Sequence, residues 1–304
     1  MLKVLYIVGN YRSGTTLTSN LLGQIPGVTN LGEVRAVFRN FAKDAACGCG
    51  TVLKDCPLWG QIAKELNLTD ISALKQYLSL QDNLLGWKHT WIKALKTLHN
   101  PNTLKPGQRQ LLSVLEKIYL KAAQLTNAQI IVDSSKEIID ALLLLNSTTV
   151  DLYILHLIRD PRGVVFSTLR AEGRNSHSFS SIPRTAYLAL NWSVTNYLAI
   201  RLRKSLLTPK YLQLNYDKLI SEPQQSLEKL LDFLDYKSRI TFINMSHASL
   251  QPTHSADGNP NRFFTGDVQL KPDVSWINEL SPFNCFAIKL ITSRTYKTVS
   301  ESTL

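Results

Sequence analysis

The chain has 304 residues, 44% of them hydrophobic, with 34 Lys and Arg against 23 Asp and Glu, a formal net charge of +11. That length suits one large α/β domain, or one carrying a helical insertion, and the lack of any apolar run of about 18 residues or more excludes a helical membrane span. The positive balance implies anionic partners such as nucleotides, sulfated or phosphorylated ligands, nucleic acid or a membrane surface, with a merely basic soluble surface as the plain alternative.

The first element is the apolar run Leu5 to Val8, which reads as a buried strand. A turn bounded by Gly9 and Gly14 follows, and Thr15 and Thr16 open an amphipathic helix expected to reach about Ile25. Strand, glycine turn and helix N-terminus make an anion site, because the turn's N–H groups converge and the helix dipole favours negative charge. Gly9, Gly14 and Thr16 have P-loop spacing, but Thr15 stands where the P-loop Lys is expected, and Arg12 is the turn's cation. No secretory leader is expected, since Met1-Leu-Lys3 runs straight into this strand, and a cytoplasmic protein without a membrane partner is the simplest inference.

Pro26-Gly27 stops the helix, and Val28–Leu31, a short strand or extended loop, delivers Glu33 and Arg35. A helix is expected over Val34–Ala46. Three of the four cysteines, Cys47, Cys49 and Cys56, then cluster ahead of Trp59. A zinc site on these thiolates wants a fourth ligand, and no His is close in sequence. Plain thiols in a tight loop are the expectation, a disulfide the alternative, and no metal is assigned. Residues 60–127 read as a mostly helical insertion, with a core-facing stripe at Leu111, Leu112, Leu115, Ile118 and Tyr119.

Gln129–Asp133 reads as a second buried strand, with Ser134-Ser135-Lys136 leading into a helix through Leu145. Asp151–Ile158 is a third, ending in Arg159 and a helix from Pro161 to Leu169 that carries Ser167. A long helix spans roughly Arg184–Lys204, Tyr211–Tyr216 alternates like a strand, and Ser221 is expected to cap a helix to about Leu234. His247–Val274 reads as a long loop, followed by a helix over Pro282–Thr292. This alternation predicts an α/β fold of three layers with a central parallel sheet, like P-loop NTPases, as one domain over residues 1–304 with an insertion at about 60–127. Arg12, Lys136, Arg159 and Tyr216 all fall at carboxyl ends of strands, where such folds bind ligands.

The chain resembles the sulfotransferases that use 3′-phosphoadenosine 5′-phosphosulfate. Tyr11-Arg-Ser-Gly-Thr-Thr-Leu17 is similar to their 5′-phosphosulfate loop, and Leu157–Thr168 to their 3′-phosphate element, with Ser167 eight residues after Arg159. Asn215–Pro223 resembles the stretch whose Tyr lies near the adenine, and His254–Phe263 the loop that closes on the nucleotide. The resemblance implies that Arg12, Ser13, Gly14, Thr15 and Thr16 hold the 5′-phosphosulfate, Arg159 and Ser167 the 3′-phosphate with Arg262 added, and that Tyr216 contacts the base. It also implies Lys136 near the sulfuryl group and Glu33 as the base, by likeness to the tyrosylprotein branch, with no metal required. Plainer alternatives pair Glu33 only with Arg35 and leave Lys136 on the surface. His89 is a second candidate base, and His156 reads as a core residue. The implied activity is sulfuryl transfer to a hydroxyl or amine of a soluble small molecule or natural product, as in secondary metabolism; carbohydrate and tyrosyl peptide stay open. An NTP-dependent kinase is the competing enzyme. A nucleic-acid-binding module is disfavoured, because the charges are spread along the chain.

Overall fold

The structure is a computed structural model that describes residues 1–84, 94, 104–205 and 210–301. Five parallel strands form the central sheet: β1 (Leu2–Gly9), β2 (Val28–Gly32), β3 (Ile130–Lys136), β4 (Val150–Ile158) and β5 (Tyr211–Asn215), in the order β2-β3-β1-β4-β5. The first of the five in sequence is therefore the middle one. It is buried on both faces, which is why it reads as an unbroken apolar run rather than an alternating one.

Side chains alternate across the sheet, so β1 feeds two cores. Val4, Tyr6 and Val8 pack with Trp59, Leu111, Ile118 and Leu198 on one side. Leu5 and Ile7 pack with Leu21, Leu22, Leu227 and Leu230 on the other. Each fully buried aliphatic side chain contributes roughly 1.5–3 kcal/mol.

The first side carries α2 (Val37–Ala42), α3 (Trp59–Glu65), α4 (Ile71–Leu84), α5 (Pro106–Thr126), α6 (Ile138–Leu144) and part of α8 (Ile182–Ser205). The helical stripe expected at Leu111, Leu112, Leu115, Ile118 and Tyr119 lies on α5 and is buried. The second side carries α1 (Thr15–Leu22), α9 (Tyr216–Ser221) and α10 (Pro223–Phe233). α7 (Pro161–Ala171) packs with α8 and with the last helix, α12 (Pro282–Glu301); α11 (Trp276–Glu279) precedes it.

Several boundaries differ from the sequence reading. The long loop expected over His247–Val274 contains β7 (His247–Leu250) and β8 (Gly266–Gln269), which with β6 (Ile243–Asn244) form a small antiparallel sheet. Those strands are short and half-exposed, so they lack an apolar signature. The helix expected over Val34–Ala46 is a 3₁₀ turn, Val34–Ala36, followed by α2. Ser134, Ser135 and Lys136 finish β3 instead of leading into the helix, because Asp133 draws the Ser135 amide and hydroxyl back onto the strand end. Tyr216 opens α9 rather than closing β5, with Asn215 capping through bonds from the Asp217 and Lys218 amides. Ser221 ends α9, so α10 begins at Pro223 without a side-chain cap.

Candidate active site

β1 ends at Gly9, where a side chain cannot fit: a Cβ would fall 2.7 Å from the Leu157 carbonyl oxygen. The following turn closes with the Ser13 amide donating to Asn10 O at 3.2 Å. Arg12 and Gly14 both take the left-handed backbone, at φ 66° and 90°, and α1 starts directly after. The first amides of a helix lack intrahelical acceptors, so those of Thr15 and Thr16 are available to an anion. Two buried polar atoms beside them, Ser13 Oγ and Asn10 Nδ2, have no partner among the described residues. Leaving such an atom unpaired costs roughly 1–3 kcal/mol, so a group that bonds to both would be favoured there. The Arg12 guanidinium also has no protein partner among the described residues.

Arg159, at the end of β4, is buried and bridges two loops. It donates to the Arg12 carbonyl at 3.0 Å and to the Asp273 carbonyl at 3.3 Å, with the Asp273 carboxylate 3.6 Å away. Its guanidinium lies 5.1 Å from the centroid of the Tyr216 ring. Trp192, at zero exposure on α8, supports Arg159 from behind by donating to its carbonyl at 3.1 Å. Burial raises the Tyr216 hydroxyl above its usual pKa, against the pull of Arg159, so the ring carries a neutral phenol. Burial also acts to raise Asp273, but the Ser275 hydrogen bonds and the charges of Arg170 and Arg159 outweigh it and leave the carboxyl lowered. A carboxylate thus occupies the anion position between Arg159 and Arg170, whose own contact with Asp273 is 3.0 Å. Ser167 is half-buried on α7, and its hydroxyl makes no hydrogen bond among the described residues.

β2 and β3 end side by side, and this brings Glu33 and Lys136 together. The Lys136 ammonium forms an ion pair with Glu33 Oε1, donates to Ser134 O at 3.1 Å and sits 5.1 Å from the Tyr11 ring centroid. Lys136 is 4% exposed and holds a left-handed φ of 73°, so it is not a surface residue. Glu33 does not pair with Arg35. That guanidinium is buried against Asp140 at 2.5 Å. Behind them burial pushes Asp133 up to about 6, although Ser135 and Tyr119 donate to it. A carboxylate and an ammonium at one sheet edge can accept a proton and hold a developing negative charge, respectively.

Lys136 also lines a cleft, with Asn10, Tyr11, Ile139, Asn191, Thr195 and Leu198, among others including Ala94 of the insertion. Arg170 and residues 173–177 line a different hollow, with Phe166, Asn278 and Glu279. His89 lies outside the described residues. His156 is a core residue as expected, fully buried in β4 with Nε2 donating to Asn196 Oδ1 at 2.8 Å.

Residues 253–262 form a strap across α1 and the end of β2. The Ala256 amide donates to Leu31 O at 2.8 Å, Glu33 N to Asp257 O at 3.2 Å, and Asn259 N to Thr16 Oγ1 at 3.1 Å. Arg262 spends its terminal nitrogens on Asp257, Gly258 O and Ala46 O, so it anchors the strap. The cysteines are free thiols, not a disulfide. The sequence offers no fourth ligand close to these thiols, but the strap delivers His254, 198 residues beyond Cys56, to the cluster. Sequence reasoning also missed Asp273, and it gave Asn10, within the glycine turn, no role.

A model of the sulfotransferase family matches residues 5–239. Among solved structures, the chain is similar to the sulfotransferase domain of the Synechococcus PCC 7002 olefin synthase, at 20% identity over 98% of this chain and 94% of that one, with a TM-score of 0.56. It is equally similar in fold to the sulfotransferase domain of the curacin biosynthetic pathway, at 15% identity over 100% and 99% of the two chains, TM-score 0.56. No curated protein sequence matches it significantly.

Proposed function

Since this chain belongs to the sulfotransferase family, we propose that it moves a sulfuryl group from 3′-phosphoadenosine 5′-phosphosulfate to a hydroxyl or amine of a small-molecule acceptor. One observation carries this reading: two phosphate-ready positions lie one strand apart. The first is the β1–α1 turn with its unpartnered Ser13 Oγ, Asn10 Nδ2 and Arg12. The second is Arg159, tied to that turn by the 3.0 Å bond to Arg12 O. A nucleotide with phosphates on both sides of its ribose fits such a pair. An NTP does not have that layout, and Thr15 replaces the Lys that would contact β- and γ-phosphates.

The bound donor supplies an activated sulfuryl group on a phosphate leaving group. The turn amides with Ser13, Thr15 and Thr16 hold the 5′ end, and Arg12 neutralises it. Arg159 and Ser167 take the 3′-phosphate, and Tyr216, wedged between Gly14 and Arg159, fixes the angle between the two positions. Arg262 serves at one remove, by holding the strap. Glu33 receives the acceptor's proton as its oxygen or nitrogen bonds to sulfur. Lys136 faces the charge left on the departing oxygen, and one such donor is typically worth about 3–4 kcal/mol. The cleft beside Lys136 mixes apolar Ile139 and Leu198 with polar Asn191 and Thr195, which suits a small acceptor with an apolar body and one reactive polar group.

The test is the heat of binding of adenosine 3′,5′-bisphosphate and of ATP, on the wild type and on Arg159→Ala. Micromolar, magnesium-independent binding of the bisphosphate, weak ATP binding and loss in the variant are expected. Absence of bisphosphate binding by the folded wild type overturns the reading.

A further inference from the structure

We propose that Cys47, Cys49, Cys56 and His254 form a mononuclear tetrahedral zinc site that fastens the strap to the body of the protein, apart from the transfer chemistry. The four ligand atoms all lie within 4.8 Å of one another. Cys49 Sγ and Cys56 Sγ are 3.8 Å apart, and Cys56 Sγ and His254 Nδ1 are 3.3 Å apart. Zinc–sulfur and zinc–nitrogen bonds of normal length give tetrahedral edges of about 3.8 and about 3.5 Å, close to both. A disulfide would need about 2.05 Å and would leave one thiol and the imidazole unused.

The local backbone is shaped for such a site. Cys47 to Thr51 make a tight turn, closed by Gly50 N to Cys47 O at 2.9 Å and Cys47 N to Thr51 O at 2.7 Å. Gly50 takes φ 92°, a conformation that side chains disfavour. Gly48 lets the strap come close: a Cβ there would meet Thr253 O at 2.7 Å, and its amide donates to Ser255 O at 2.9 Å. Around the ligands, the Trp59 amide points at Cys56 Sγ at 3.5 Å, and Trp59 Nε1 donates to His254 O at 2.6 Å. Such outer contacts orient metal-bound thiolates and imidazoles. Cys47 and Cys56 are buried while Cys49 and His254 are half-buried, which leaves an entry path. Three thiolates and one imidazole select zinc over magnesium, calcium or manganese, and binding releases the thiol protons to solvent.

The protein is purified without chelators or a metal-affinity step, supplied with Zn²⁺ and dialysed; bound metal per chain is then measured by mass spectrometry. One zinc per chain is expected, lost in Cys49→Ser and in His254→Ala and kept in Cys285→Ser. Replacement by Co²⁺ should give the intense visible bands of tetrahedral cobalt with sulfur ligands, and Zn²⁺ should slow thiol labelling of the three cysteines. If either variant fails to fold, the wild-type zinc content and cobalt spectrum decide. Wild type that retains no zinc, an octahedral cobalt spectrum, zinc retained in full by both variants, or a Cys49–Cys56 disulfide in freshly prepared protein overturns the proposal.

Discussion

The Tyr216 ring rests against the α-carbon of Gly14, so closely that a Cβ at residue 14 would fall 2.0 Å from Tyr216 Cε2. The contact couples the turn after β1 to the start of α9. Gly14→Ala must push the ring aside and also strain a left-handed residue. Overpacking costs about 1–3 kcal/mol and the backbone roughly 1–2 kcal/mol more. Urea unfolding should show that loss, and calorimetry should show bisphosphate binding abolished. An unchanged unfolding midpoint would mean that Tyr216 is free to move away.

Asp273 holds the anion position of Arg159 and Arg170. A phosphate entering there must compete with it. Asp273→Asn is expected to tighten adenosine 3′,5′-bisphosphate binding about 2- to 5-fold at low salt, the equivalent of a partly exposed ion pair. Weaker binding in the variant would instead make Asp273 a support for Arg159.

Glu33 and Lys136 should separate binding from chemistry. Glu33→Gln removes the proposed proton acceptor and is expected to lower kcat about 10²- to 10⁴-fold, with bisphosphate affinity within a few-fold of wild type. Once an acceptor is in hand, steady-state rates and calorimetry on the same preparation check this. A near-normal kcat would send the search for the base to another residue.

His156 governs part of the acid sensitivity. Burial lowers it to about 4, against an ordinary 6.5, although its bond to Asn196 favours the charged form. The unfolded chain therefore binds this proton more readily, and stability falls as pH drops from about 6.5 towards 4, by about 3 kcal/mol at most. Asp133, raised to about 6 by burial, acts in the opposite sense and flattens the wild-type curve. The readable quantity is thus a difference. The stability gap between wild type and His156→Gln should shrink as pH falls from 7 to 4.5, and a constant gap would refute the assignment.

The first strand and the glycine turn after it were legible because each is local. Leu5 to Val8 announce a doubly buried strand, and Gly9 to Thr16 complete their motif within eight residues. The ends of β2 and β3 were legible as positions but not as a pair, since Glu33 and Lys136 meet only through parallel pairing of distant strands. Asp273 was illegible, and so was His254 as a neighbour of the cysteines. Each comes from the half-exposed segment after β7, where no periodicity points to a destination.

The order of the strands has a consequence for synthesis. β1 is made well before its partners β3 and β4, which begin at Ile130 and Val150, and before the strap that bonds to Thr16 through Asn259. The turn is therefore encoded well ahead of the strands and the strap that complete its surroundings. A chain cut before those segments has the turn's sequence without the neighbours that hold it in place.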